Sequence, residues 1–111
     1  MARTALTVQT INRSGIAPAY TAAPVDGHSI QNSGLEFLHV KNAHTASINV
    51  TFQTPGTVDG QAVADRVVVV PNATERMIGP FAPGDYNQPG TAELWIDFSV
   101  VTAITVAAFR I

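Results

Sequence analysis

Cysteine is absent from the 111-residue chain. Its absence removes disulfide staples and thiolate metal sites together, and fits folding in a reducing compartment. Charge is scarce: 13% of residues are charged, with a formal net charge of −2, against roughly 25% charged in an average domain. The six basic residues are scattered from Arg3 to Arg110, so the clustered Lys and Arg of a nucleic-acid footprint are missing. No apolar run approaches the ~20 residues of a membrane-spanning helix. The opening stretch, MARTALTVQTI, lacks the apolar core and cleavage site of a secretory signal. The expectation is a chain with no nucleic-acid partner and no membrane partner. The Asn-x-Ser/Thr triplets at Asn12, Asn49 and Asn72 are read as chance in a Thr- and Asn-rich sequence. Helix signals are nearly missing too, with no apolar stripe at i, i+3, i+4 spacing.

What is present is alternation. Ala46-Ser47-Ile48-Asn49-Val50-Thr51-Phe52-Gln53 alternates apolar and polar over its whole length, the period of a half-buried strand. Ala46, Ile48, Val50 and Phe52 are expected to face a core. In Glu93 to Phe98, Leu94, Ile96 and Phe98 point inward, leaving Glu93, Trp95 and Asp97 outward. Ile104 to Arg110 closes the chain in the same way; in Leu35 to Lys41, Leu38 and Val40 are inward, with His39 and Lys41 outward. Thr4 to Gln9 and Ala19 to Ala22 read as further strands. Turn signals separate these runs, among them Asn12-Arg13-Ser14-Gly15, Asp26-Gly27, Asn32-Ser33-Gly34, Asp59-Gly60 and Pro83-Gly84-Asp85.

Seven or eight short strands with such punctuation predict an all-β chain: one antiparallel β-sandwich, jelly-roll-like, spanning residues 1–111. Residues 12–34 are the least regular and read as an extended arm or long loop. A weakly charged surface rich in Ala, Val and Thr is poorly defended against association, and suggests a chain that packs against others, copies of itself included.

Catalytic patterns are not found. His28, His39 and His44 lack a metal-ligand spacing, and His28 in Asp26-Gly27-His28 reads as part of a polar turn. Ser14-Gly15 and Ser33-Gly34 lack a nucleophile elbow. Glu93 and Asp97 lie roughly 13 Å apart along a strand, too far for a shared-proton pair. Asp-x-Asp calcium runs and Gly-rich phosphate loops are missing. The expectation is a non-enzyme with no cofactor and no metal. Trp95, outward between two carboxylates, has three readings: a sugar-stacking platform, a protein-interface anchor, or a ring covered by a loop or the arm. Leu6, Val8, Tyr20, Tyr86 and Trp95 are the candidate interface residues.

Arg66-Val67-Val68-Val69-Val70 is apolar on both faces, so it calls for cover on both sides, from this chain or a neighbouring one. Pro71 ends the ladder, Asn72 to Glu75 turn, and Arg76-Met77-Ile78 return as the second arm of a hairpin. Gly79-Pro80 then breaks the strand and Phe81 plugs the core. Local ion pairs of Arg66 and Arg76 with Asp65 and Glu75 are expected at the two ends. Together with Ala5-Leu6-Thr7, Phe37 to Asn42, Gln53 to Arg66, Glu75 to Phe81, Tyr86-Asn87 and Val106-Ala107-Ala108, this hairpin resembles a group of small virion-associated proteins of tailed bacteriophages and prophages.

The resemblance implies a structural protein of the virion. Decoration of the capsid exterior is the first expectation, with a neck or tail component, or a receptor- or glycan-binding sandwich, as alternatives. It implies folding in the bacterial cytoplasm, the major capsid protein as partner, and a homo-oligomer such as a trimer. It carries over no catalytic residue. Residues 2–9 or the 12–34 arm are expected to reach a neighbouring chain.

Overall fold

A computed structural model describes residues 3–111. Twelve strands and one helical turn follow one another along the chain: β1 (Thr4–Ala5), β2 (Val8–Thr10), β3 (Thr21–Ala22), β4 (His28–Gln31), β5 (Glu36–Asn42), β6 (Ile48–Phe52), β7 (Thr57–Val58), β8 (Gln61–Ala62), β9 (Arg66–Val70), β10 (Glu75–Ile78), α1 (Pro83–Tyr86), β11 (Glu93–Phe98) and β12 (Ile104–Arg110). One five-stranded sheet has the order β1-β4-β11-β6-β9. A second has the order β10-β5-β12-β2, with β3 also paired to β12, and β7 and β8 form a separate pair. The count exceeds the seven or eight strands expected because Thr4 to Gln9 divides between β1 and β2, and because β4 and the two-residue β7 and β8 are added.

Alternation decides which side chains meet. Ile48, Val50 and Phe52 of β6, Leu94 and Ile96 of β11, and Ile30 of β4 pack from the first sheet. Leu38 and Val40 of β5 and Ile104, Val106 and Ala108 of β12 close the same core from the second. The inward sets expected for β5, β6 and β11 are the ones found, except that Ala46 is exposed beyond the start of β6 and Phe98 is half-buried. Phe81 is buried as the expected plug, its ring 4.7 Å from that of Phe52.

Several expectations are corrected. Pairing is mixed rather than wholly antiparallel, because β1 runs parallel to β4 and β2 parallel to β12. Thr4 to Gln9 is not one strand: the chain switches sheets at Leu6-Thr7, so β1 and β2 lie in different sheets. The N-terminal stretch from Arg3 onward is built into the chain's own sheets; Ala2 lies outside the described residues. Residues 12–34 are not an arm throughout. β4, from their second half, is an interior strand between β1 and β11, and His28, Ser29, Ile30 and Asn32 are buried. The polar letters of Asp26-Gly27-His28-Ser29 mask a strand whose His28 and Ile30 share the inner face. What stays irregular is 11–20, held along β2 by Gln9, whose amide donates to Ala19 O (2.8 Å) and accepts from Ala19 N (3.0 Å).

The main correction concerns the valine run. β9 pairs with β6 in the first sheet, whereas β10 pairs with β5 in the second. They are not two arms of a hairpin; the Pro71 to Thr74 turn carries the chain around a corner of the sandwich. Pro71 ends β9 as expected. Asn42 fixes the corner: its buried amide donates to Val70 O and Ala46 O (both 3.0 Å) and accepts from His44 N (2.8 Å), while its own N–H bonds Thr74 O. One buried Asn thereby ties both sheets at the turn.

Candidate functional site

The polar groups gather in three places. On the outer face of the first sheet, Trp95 lies on β11 between Glu93 and Asp97, as alternation requires. Arg3 reaches over it, with Cζ 4.6 Å from the ring centroid, and ends in a two-pronged pair on Asp97 at 2.7 and 3.2 Å. Gly27 makes this possible: at φ +82° it lies beneath the guanidinium, and a Cβ there would run into Arg3 and lie 2.6 Å from Ile96 O. Burial raises the Asp97 carboxyl pKa, but hydrogen bonds from Arg3 and Gln53 and the Arg3 charge outweigh that and hold it below its ordinary value. One ring face of Trp95 is therefore taken by a guanidinium of the same chain, so a sugar would have to displace Arg3 to stack there.

On the outer face of the second sheet, Tyr20 covers His39. Tyr20 OH lies 2.7 Å from His39 Nδ1, and His39 Nε2 lies 3.1 Å from Glu75 Oε1. The ring thus bridges the tyrosine hydroxyl and the glutamate carboxylate, with Nε2 the donor to Glu75. Lys41 Nζ sits 4.0 Å from the Tyr20 ring centroid. His39 is outward as expected, yet buried, because the 11–20 segment folds back over it. His28 is buried in the core, where its Nδ1–H donates to Thr4 O (2.9 Å) and Nε2 has no partner among the described residues. Burial pushes its pKa below the ordinary value, opposed by the bond to Thr4. His44 lies in the β5–β6 turn. No three His, Asp or Glu side chains among the described residues gather where they could hold a metal ion.

The third place is the side of the molecule where β9 and β10 lie, and it is the candidate docking surface. Both are edge strands, one of each sheet. Val68 and Val70 turn inward, but Val67 and Val69 are 51% and 53% exposed, and Met77 on β10 is 65% exposed. The doubly apolar strand thus gets cover on one face only from its own chain. Three hollows run along this side, of about 520, 460 and 280 Å³. The first lies between the β7–β8 pair and β9, and shares Arg66 and Tyr86 with the second. The second opens between the two edges onto Val68, Ile78 and Phe81, and shares Met77 to Pro80 with the third, which Leu35 and Ile111 complete.

Neither expected local ion pair forms here. Arg66 Nε donates to Tyr86 OH (3.2 Å) and Arg76 Nη1 to Glu75 O (2.8 Å). Glu75 is turned to His39, and Asp65 accepts from Thr54 N (3.0 Å).

The five candidate interface residues are all half-buried and are not brought together. Leu6 and Val8 pack against the chain's own core, Tyr20 covers His39, and Trp95 lies under Arg3. Tyr86 alone borders the β9–β10 side, its ring 5.3 Å from Phe81. Of the exposed apolar residues here, Val67 and Val69 are signalled by the apolar outer face of Arg66 to Val70, whereas Val58, Val63 and Met77 carry no such signal. Comparison with known protein families, curated proteins and solved structures gives no match. No helix among the described residues is long and apolar enough to cross a membrane.

Proposed function

We propose that this protein is a structural component of a tailed-phage virion, a jelly-roll-like decoration protein. On this proposal it binds the major capsid shell in many copies on the exterior, and stabilises it by buried contact area rather than by chemistry. The protein acts without cofactor or metal, folds in the bacterial cytoplasm, and self-associates on the shell, with a trimer the expected unit.

One observation carries the proposal. Among the described residues, seven of the nine exposed large hydrophobics flank the β9–β10 edges in two groups: Val58, Val63 and Val67 line the hollow beside β9, with Val69 next on its outer face, and Leu35, Met77 and Ile111 line the hollow on the outer side of β10. Apolar surface concentrated in this way on a small chain marks a contact with another protein. With charged residues at 13%, little of the surface opposes such contact. The resemblance to phage virion proteins supplies the class of partner. Co-sedimentation tests it: purified protein added to capsids lacking it should pellet with them at many copies per shell. Protein left in the supernatant at saturating concentration overturns the proposal.

A further inference from the structure

We propose that the open side between β9 and β10 receives an extended, carboxylate-bearing segment of another protein, added as a new strand beside β9. The inference rests on taking this side as the docking face, and names how the partner is held. β9 is the last strand of its sheet. Beyond its ladder with β6, no backbone hydrogen bond among the described residues involves Val67, Val68 or Val69. Such an edge is a template for strand addition, in which main-chain bonds give affinity and alternate side chains give specificity. Native edges are blunted by charge, proline or a bulge; from Val67 to Val70 this one has none of them.

The hollow beside the edge indicates what the segment carries. A strand laid against β9 would turn every second side chain inward, into the space of about 460 Å³ over Val68, Ile78 and Phe81. An apolar side chain fits there. The other side chains would lie on the outer face beside Val67 and Val69. Among the described residues, the charged groups lining this hollow are the guanidiniums of Arg66 and Arg76. Neither is paired with a carboxylate among the described residues, whereas Arg3 and Arg110 are. Two such guanidiniums beside a free edge select a carboxylate on the incoming strand. A second copy of this chain is a poor source. Its stretch alternating acidic and apolar residues, Glu93–Phe98, is an interior strand paired to both β4 and β6, and would have to leave its sheet.

Nuclear magnetic resonance titration of the isotope-labelled protein tests this without capsids, so its failure is separable from failure of the virion proposal. The probes are a short blocked peptide of alternating valine and glutamate and its counterpart with lysine for glutamate. The glutamate peptide should give saturable shifts confined to the amides of β9, β10 and Phe81 to Tyr86. It should bind at least about tenfold more tightly than the lysine peptide. Arg76→Glu, at an exposed position whose side chain donates to the Glu75 carbonyl, should reverse that preference while leaving the rest of the spectrum in place. Equal binding of the two peptides, shifts centred elsewhere, or no saturation by about 5 mM overturns the inference. So does sedimentation showing that copies pair through β9 without peptide.

Discussion

His28 has one ring nitrogen bonded to the Thr4 carbonyl and the other buried without a partner among the described residues. Protonating it would put a charge into the core, so its pKa is held below the ordinary 6.5. The unfolded chain then takes up the proton first as pH falls. The stability this group contributes is fully present above pH 6.5 and is lost as pH drops from there toward the folded-state value. Asp97 and Glu36 act in the same direction at lower pH. Burial raises the Glu36 pKa, but bonds from the Ser33 N–H and hydroxyl and the Leu35 N–H outweigh it, and its folded-state pKa also lies below the ordinary value. Urea denaturation at pH 7.5 and pH 5.5 should show lower stability in acid, and His28→Leu should shrink the difference. An unchanged difference would assign the acid sensitivity to other groups. Gly27 offers a second test. Gly27→Ala sets a methyl group against Arg3 and Ile96 O at φ +82°, and should cost about 2–4 kcal/mol. Arg3→Ala should relieve part of that clash, so the two substitutions should be less than additive.

Among the elements, the corner between β9 and β10 rests on Asn42. Asn42→Ala leaves Val70 O, Ala46 O and His44 N without their side-chain partner, and should cost about 2–3 kcal/mol by chemical denaturation. A loss below about 1 kcal/mol would mean that water takes up these bonds readily. The same corner shows what sequence reasoning reached and what it could not. The period of two identified β5, β6, β11 and β12, and the inward sides of the first three, because burial on one face imposes alternation. The valine run and its proline stop were equally legible. Sheet membership was not: a tight polar turn between two apolar runs is compatible with a hairpin and with a crossing between sheets, and the choice is made by Asn42, far away in sequence. β4 was hidden because its His28, Ser29 and Gln31 are polar, and β7 and β8 because two residues carry no period. Of the candidate site, the apolar outer face of Arg66–Val70 was visible. The gathering of Leu35, Val58, Met77 and Ile111 beside it depends on tertiary placement alone.

For the whole molecule, two sheets close over one core on most sides and stop short at β9 and β10, where the valine edge of β9, open hollows and two guanidiniums with no carboxylate partner among the described residues coincide. Val67→Glu and Met77→Glu change exposed positions, so each should alter folding stability by no more than about 0.5 kcal/mol while abolishing attachment to capsids. Electron cryomicroscopy of capsids saturated with the protein tests the central claim most directly. The expected map has one sandwich at each of many equivalent positions on the outer shell, with the β9–β10 side turned toward the shell and a partner strand continuing β9. A bare shell, density at a single vertex, or sandwiches bound with that side facing solvent would contradict it.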